Sequence, residues 1–114
     1  MLITTAHLKR ANVCMGYRRK FRARFPNGRV RITQRGCEDR AQVWPWRIMA
    51  EKFLNAAGLA EFRKAESVID NIRITPKELW RDDTALSDRA KRAALASVFG
   101  RLAEQKRFDP AYTP

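Results

Sequence analysis

The sequence predicts an α+β domain in which four or five helices pack with a minimal two- or three-stranded sheet. Three observations carry that expectation. Leu2-Ile3-Thr4, Val30-Arg31-Ile32-Thr33 and Ile72-Arg73-Ile74-Thr75 are short β-branched segments, each ending in Ile-Thr. Most of the remaining chain repeats its apolar residues at helical spacing. At 114 residues there is room for one modest core, because a chain this size buries roughly 65% of its extended surface on folding. We therefore expect a single basic domain over residues 1–107 and a flexible tail over 108–114.

In the second and third β-branched segments apolar residues alternate with arginine, the period of a strand with one buried and one solvated face. Pairing of the three segments in one sheet is the simplest arrangement. Between the first two, Cys14, Tyr17, Phe21 and Phe25 fall on one face of a helix over Val13–Phe25, with Arg18, Arg19, Lys20, Arg22 and Arg24 on its other faces. Tyr17, Phe21 and Phe25 have the chemistry to stack bases as in single-strand binders, but a stripe at helical spacing reads as core. Pro26-Asn27-Gly28 ends the helix and turns the chain, since proline cannot continue helical pairing and Asn-Gly tolerates positive φ.

Pro45 is placed at a first helical position, and Trp46, Met49, Ala50, Phe53, Leu54 and Ala57 form the stripe of a helix that Gly58 is expected to stop. Leu59 to about Asp70 continues as a second helix with Phe62, Ala65 and Ile69 inward. Thr75-Pro76-Lys77-Glu78 reads as a capping box opening a short helix through Trp80. Ser87 caps a last long helix to about Lys106, in which Gly100 marks close helix packing.

The charge pattern bears most directly on function. The net charge is +12, and eleven Lys and Arg against two acids, Glu38 and Asp39, put +9 of it in residues 1–40. So local an excess indicates a directed surface. Arginine dominates it, and the planar guanidinium fork suits bidentate phosphate contacts better than an ammonium does. Arg18, Arg19, Arg22, Arg24, Arg29 and Arg31 are the candidate nucleic-acid contacts, set on helix, turn and strand as one positive surface. Solvated arginines whose stems merely cover apolar surface are the bland alternative. Trp44 and Trp46 flank Pro45 and cannot both face the same way, so one of them is a candidate partner anchor.

Other chemistry finds little support in the residues. Two cysteines, Cys14 and Cys37, one histidine, His7, and no CxxC pair supply neither a disulfide framework nor the usual zinc ligands. His7 and Cys14 would share a helical face only if the helix continued past Asn12, and no oxyanion-hole motif accompanies them. Cys37 lies amid Arg35 and Arg40, which would stabilise its thiolate if it were exposed. The carboxylates form no metal loop and there is no glycine-rich phosphate loop. No cofactor is expected. No apolar run is long enough to cross a bilayer. The acid-free, arginine-rich start has the composition of a mitochondrial transit peptide, but its turn, patterned strand and large aromatics argue for folded structure. A cytoplasmic location follows as the expectation.

Ile3-Thr4, Leu8, Ala11, Cys14, Phe21, Phe25-Pro26-Asn27-Gly28, Val30 and Ile32-Thr33, followed by Trp46, Ala50, Leu54 and Ala60, resemble a short module in uncharacterised proteins of phages and prophages. The resemblance covers about the first sixty residues and implies a mobile-element protein acting in a host cytoplasm. Proteins of that kind include nucleic-acid binders and inhibitors of host defence complexes, anti-CRISPR proteins among them. The charge directs either kind toward a polyanion: nucleic acid (DNA or RNA), or an acidic protein or nucleoprotein surface. A non-enzymatic nucleic-acid-binding protein is the leading expectation and a protein-directed inhibitor the alternative.

Overall fold

The computed structural model describes residues 2–74, 84–85 and 87–112. These form an α+β fold of six α-helices with two separate two-stranded antiparallel ladders. Strand β1 (Leu2–Thr4) pairs with β2 (Arg29–Arg31), setting Leu2 opposite Arg31, Ile3 opposite Val30 and Thr4 opposite Arg29. Ile3 and Val30 are buried, while Arg29 and Arg31 lie exposed, as alternation requires. The third β-branched segment does not join them. Its residues Arg73–Ile74, β3, pair instead with Thr84–Ala85, β4. The capping box expected at Thr75–Glu78 and the helix through Trp80 lie outside the described residues.

Helix α1 (Thr5–Arg10) begins in a capping box. The Thr4 hydroxyl accepts the His7 N–H, and His7 Nδ1 accepts the Thr4 N–H. It ends at Asn12, whose φ is 58°, with Asn12 N–H donating to Lys9 O and Val13 N–H to Leu8 O. This is the paired-bond stop that a left-handed residue after a helix permits. Helix α2 is therefore Met15–Arg24, shorter than its apolar spacing predicts, and Cys14 is its exposed N-cap rather than part of the buried stripe. Phe25-Pro26-Asn27-Gly28 closes with Gly28 N–H donating to Phe25 O at 2.8 Å, and Gly28 takes φ 72° to do so.

The sequence reading has no helix between Thr33 and Pro45, yet Gln34–Asp39 forms α3, with the Thr33 hydroxyl accepting Gly36 N–H as its cap. Six residues give too short a periodic signal to register. In α4 (Trp46–Phe53), Trp46, Met49, Ala50 and Phe53 are buried one turn apart. This helix stops at Leu54, ahead of Gly58, because Leu54 goes extended and bridges Phe108. Asn55 N–H then donates to Arg107 O, and Asn55 Oδ1 caps α5 (Ala56–Asp70) by accepting Gly58 N–H. Gly58 thus sits in the first turn of α5. A Cβ there would meet Arg107 O at 2.7 Å.

Helix α6 (Asp88–Glu104), capped by Ser87, is the longest element and packs against α3, α4 and α5. Its Leu95, Ala96, Phe99, Gly100, Leu102 and Ala103 are buried. At Gly100 an added Cβ would stand 2.5 Å from Gln34 Cα, so α3 and α6 meet backbone to backbone. The expected loose tail is another correction. Phe108 and Tyr112 are buried, Asp109 N–H donates to Phe53 O, and Tyr112 packs edge-on to Phe53 at 4.8 Å. Aromatic burial of this size outweighs the terminal position and the prolines that suggested mobility. The buried side chains form one cluster that includes these two residues.

Gly100→Ala is expected to destabilise the fold by about 1–3 kcal/mol through backbone overlap, despite alanine's better helix propensity. Gly16→Ala, whose Cβ would meet only Cys14 Sγ at 3.6 Å, should be neutral or stabilising, by at most about 1 kcal/mol. Urea unfolding of the two variants checks the opposite signs. In the same assay Phe108→Ala should cost about 3–5 kcal/mol, whereas a disordered tail residue would cost nothing.

Candidate nucleic-acid interface

The wheel of α2 distributes its cations around three sides. Phe21 is buried and Tyr17 and Phe25 are half-buried, which fixes the inward face. At 100° per residue, Arg18 and Arg22 flank that face on one side, Lys20 and Arg24 on the other, and Arg19 points away from it. Arg19, Arg22 and Arg24 are exposed on the helix, as are Arg29 and Arg31 on the sheet. Arg18 differs. It is half-buried, and its enclosed Nε lacks a hydrogen-bond partner among the described residues.

Ion pairs among the described residues lie elsewhere. Arg47 pairs with Glu66 and Asp70, Lys91 with Asp70 at 3.4 Å, and Arg107 with Glu61 at 3.8 Å. The hydrogen bond that Arg47 donates to the Glu66 carboxylate raises the pKa of Arg47 and so favours its charged form. None of the six candidate arginines is paired with a carboxylate among the described residues. At physiological ionic strength exposed charges farther apart than about 8 Å are screened from one another. With no carboxylate within ion-pair distance among the described residues, direct pairing does not neutralise the arginines of α2 and β2.

The two tryptophans separate as their spacing predicts. Trp46 is 2% exposed and its indole N–H donates to Ala41 O at 2.8 Å, so it is a core residue and drops out as a partner anchor. Trp44 stays half-exposed. Its ring lies 5.6 Å from Trp46 and 6.2 Å from Phe25, and the Arg40 guanidinium stands 5.6 Å from it and 5.0 Å from Phe25. Arg40 also donates to Gly36 O at 2.9 Å, so a cation–π bracket anchored on α3 holds Trp44 in place.

Beside Trp44 opens a cleft of about 500 Å³ between Tyr17 of α2, Arg47 and Ile48 of α4, and Lys91 and Arg92 of α6. A smaller apolar slot of about 40 Å³ adjoins it, sharing Tyr17 and Trp44 and bordered by Lys20 and Arg24. From the sequence Tyr17 is weighed as a base-stacking ring but assigned to the core stripe, and Arg40, Arg47 and Arg92 carry no association with this site. Arg47 and Arg92 come from distant helices with no local signal. Arg40 was legible only as one more cation.

Helix termination at Asn12 separates His7 from Cys14, and His7 is engaged with Thr4 and lies edge-on to Tyr112 at 5.6 Å. The backbone N–H groups of Tyr17 and Gly16 hold the Cys14 thiol below its ordinary pKa without closing a capping hydrogen bond. Burial instead pushes Cys37 up to about 12, and its Cβ lies close beside Gly100 of α6. Among the described residues no three His, Cys, Asp or Glu side chains gather to hold a metal ion, and no helix is long and apolar enough to cross a membrane.

Compared with protein-family models, curated proteins and solved structures, this chain matches none. The fold and the site must therefore be read from their own residues.

The thiols provide a direct check on the geometry. Alkylation of the folded protein with iodoacetamide near neutral pH should modify Cys14 alone, with Cys37 reacting only in denaturant. Cys37 is neutral when folded and its pKa is raised, so its contribution to stability is fully present below about pH 9 and is lost as pH rises toward 12. Mass mapping of the modified cysteines reads the first expectation, and unfolding across alkaline pH reads the second.

Proposed function

We propose that this chain is a non-enzymatic nucleic-acid-binding protein that holds the phosphate backbone through arginines of α2 and β2. The observation carrying the reading is charge segregation. Glu61, Glu66 and Asp70 pair with cations of the C-terminal two-thirds of the chain, whereas Arg19, Arg22, Arg24, Arg29 and Arg31 are exposed and unpaired with carboxylates among the described residues. Like charges held together repel, and a phosphate backbone supplies the compensating charge while releasing counterions. Arg18 contributes from a half-buried position at the edge of this set. Sequence preference is limited, since phosphate contacts position a nucleic acid without reading it. A host-cytoplasm location, suggested by the resemblance of residues 3–60 to a phage module, is part of the same proposal.

The half-exposed Trp44 beside a positive surface favours one second reading, an inhibitor of a host defence complex that docks on an acidic protein or nucleoprotein face. A stoichiometric protein complex that survives nuclease treatment would select it.

Binding of nuclease-treated protein to duplex DNA, single-stranded DNA and RNA across a salt series tests the first reading. The affinity should fall steeply with salt. Replacing Arg19, Arg22, Arg29 and Arg31 by serine should lower the slope of log K against log salt by about 3 to 4 for a duplex if each contacts one phosphate. A folded variant with an unchanged slope, or no binding at low salt, would remove the proposal.

A further inference from the structure

Resting on that reading, we propose that the cleft between Tyr17 and Trp44 seats an unpaired base, making single-stranded nucleic acid the preferred ligand. Its walls combine two chemistries. Tyr17 and Trp44 contribute half-exposed rings, and Val43 and Ile48 leave 48% and 37% of their surface exposed beside them. Arg47, Lys91 and Arg92 line the cleft, and Lys20 and Arg24 of α2 border the adjoining slot. Asp88 is the one carboxylate lining either space.

These features select among ligands. A small inorganic anion has no use for the rings, and a neutral apolar ligand has none for the cations. Duplex nucleic acid offers phosphates but keeps its base faces stacked inside. A single strand presents phosphates and free planar faces together, and base–aromatic stacking tolerates any sequence. A volume of about 500 Å³ lies within the roughly 300–1,000 Å³ typical of small-ligand sites, and so admits a nucleotide. The adjoining slot of about 40 Å³ is too small for a base, so the stack forms on the cleft side of Trp44.

The cation supply is uneven across the cleft. Glu66 and Asp70 already engage Arg47 and Lys91. Lys20, Arg24 and Arg92 have no carboxylate partner among the described residues, although Arg92 donates to Gln42 O at 3.3 Å. The strand's phosphates are therefore expected to follow α2 through Lys20 and Arg24, with Arg92 meeting the strand in the cleft. The Arg40 bracket holds Trp44 before any ligand arrives, which lowers the ordering cost of stacking.

The test compares a short oligothymidylate, an abasic strand of the same length and a duplex, each binding the full chain at one salt concentration. The oligothymidylate should bind about tenfold or more tightly than the abasic strand, the size of a single base–aromatic stack. Trp44→Ala should lose that increment while its abasic affinity stays within about twofold. A 4-thiothymidine strand should photocrosslink wild-type protein at Tyr17 or within residues 43–48, a readout that does not depend on a variant folding. Equal binding of the abasic and base-bearing strands, or crosslinks confined to β2, would overturn the cleft proposal. If duplex and abasic strands still bind with steep salt dependence, the phosphate reading stands and only the base seat falls. Failure of all three to bind removes both, leaving the cleft to an acidic protein segment.

Discussion

The backbone contact between α3 and α6 is the constraint on which the rest of the structure depends. Because Gly100 has no side chain, Gln34 reaches the surface of α6 and Cys37 packs closely alongside. Polar groups close the seam. Gln34 N–H donates to Glu104 at 2.7 Å, the Gln34 amide donates to Ser97, and the Ser97 hydroxyl donates to Glu38. With α3 held at that distance, its C-terminal end positions Arg40 and Ala41. Ala41 O takes the Trp46 indole N–H, and Arg40 brackets Trp44. The residues that hold Trp44 and Trp46 are thus positioned by a helix whose first residue makes the close contact with Gly100.

An aromatic chain carries the same constraint across the molecule. Phe21, Phe25, Trp44, Trp46, Phe99 and Phe108 lie in successive ring contacts of 5.1 to 6.2 Å. Edge-to-face and tilted pairs of this kind add about 0.5–1.5 kcal/mol each beyond the area they bury. The chain links the basic helix α2 to the C-terminal segment. A surface that binds a ligand at Trp44 is thereby braced by core residues rather than by mobile loops. That bracing is what a preorganised stacking site requires.

Much of this was legible in the sequence. The α+β class, the turn at Pro26–Gly28, the β2 alternation and the stripes of α4 and α6 follow from local rules, because periodicity and backbone preference act over a few residues. The concentration of charge in the first forty residues is equally plain, whereas the spacing of the two tryptophans does not say which of them is buried. The local pattern misplaces four features. Cys14 leaves the core because of the left-handed stop at Asn12; for the stop expected at Gly58, the unexpected α3 and the packed Phe108–Tyr112, a residue far along the chain or a very short element overrides the local signal.

By itself, then, the sequence determined most of the helical and extended segments, though not α3 or the ends of α2 and α4, and that the N-terminal arginines have few acids near them along the chain. Only the tertiary structure decided that β3 pairs with β4 instead of joining the first ladder, that Arg107 O occupies the space beside Gly58, and that Tyr17, Trp44 and Arg92 face one cleft. Secondary structure and charge are properties of neighbouring residues. A cleft is a property of which helices meet, and here the close contact at Gly100 brings them together.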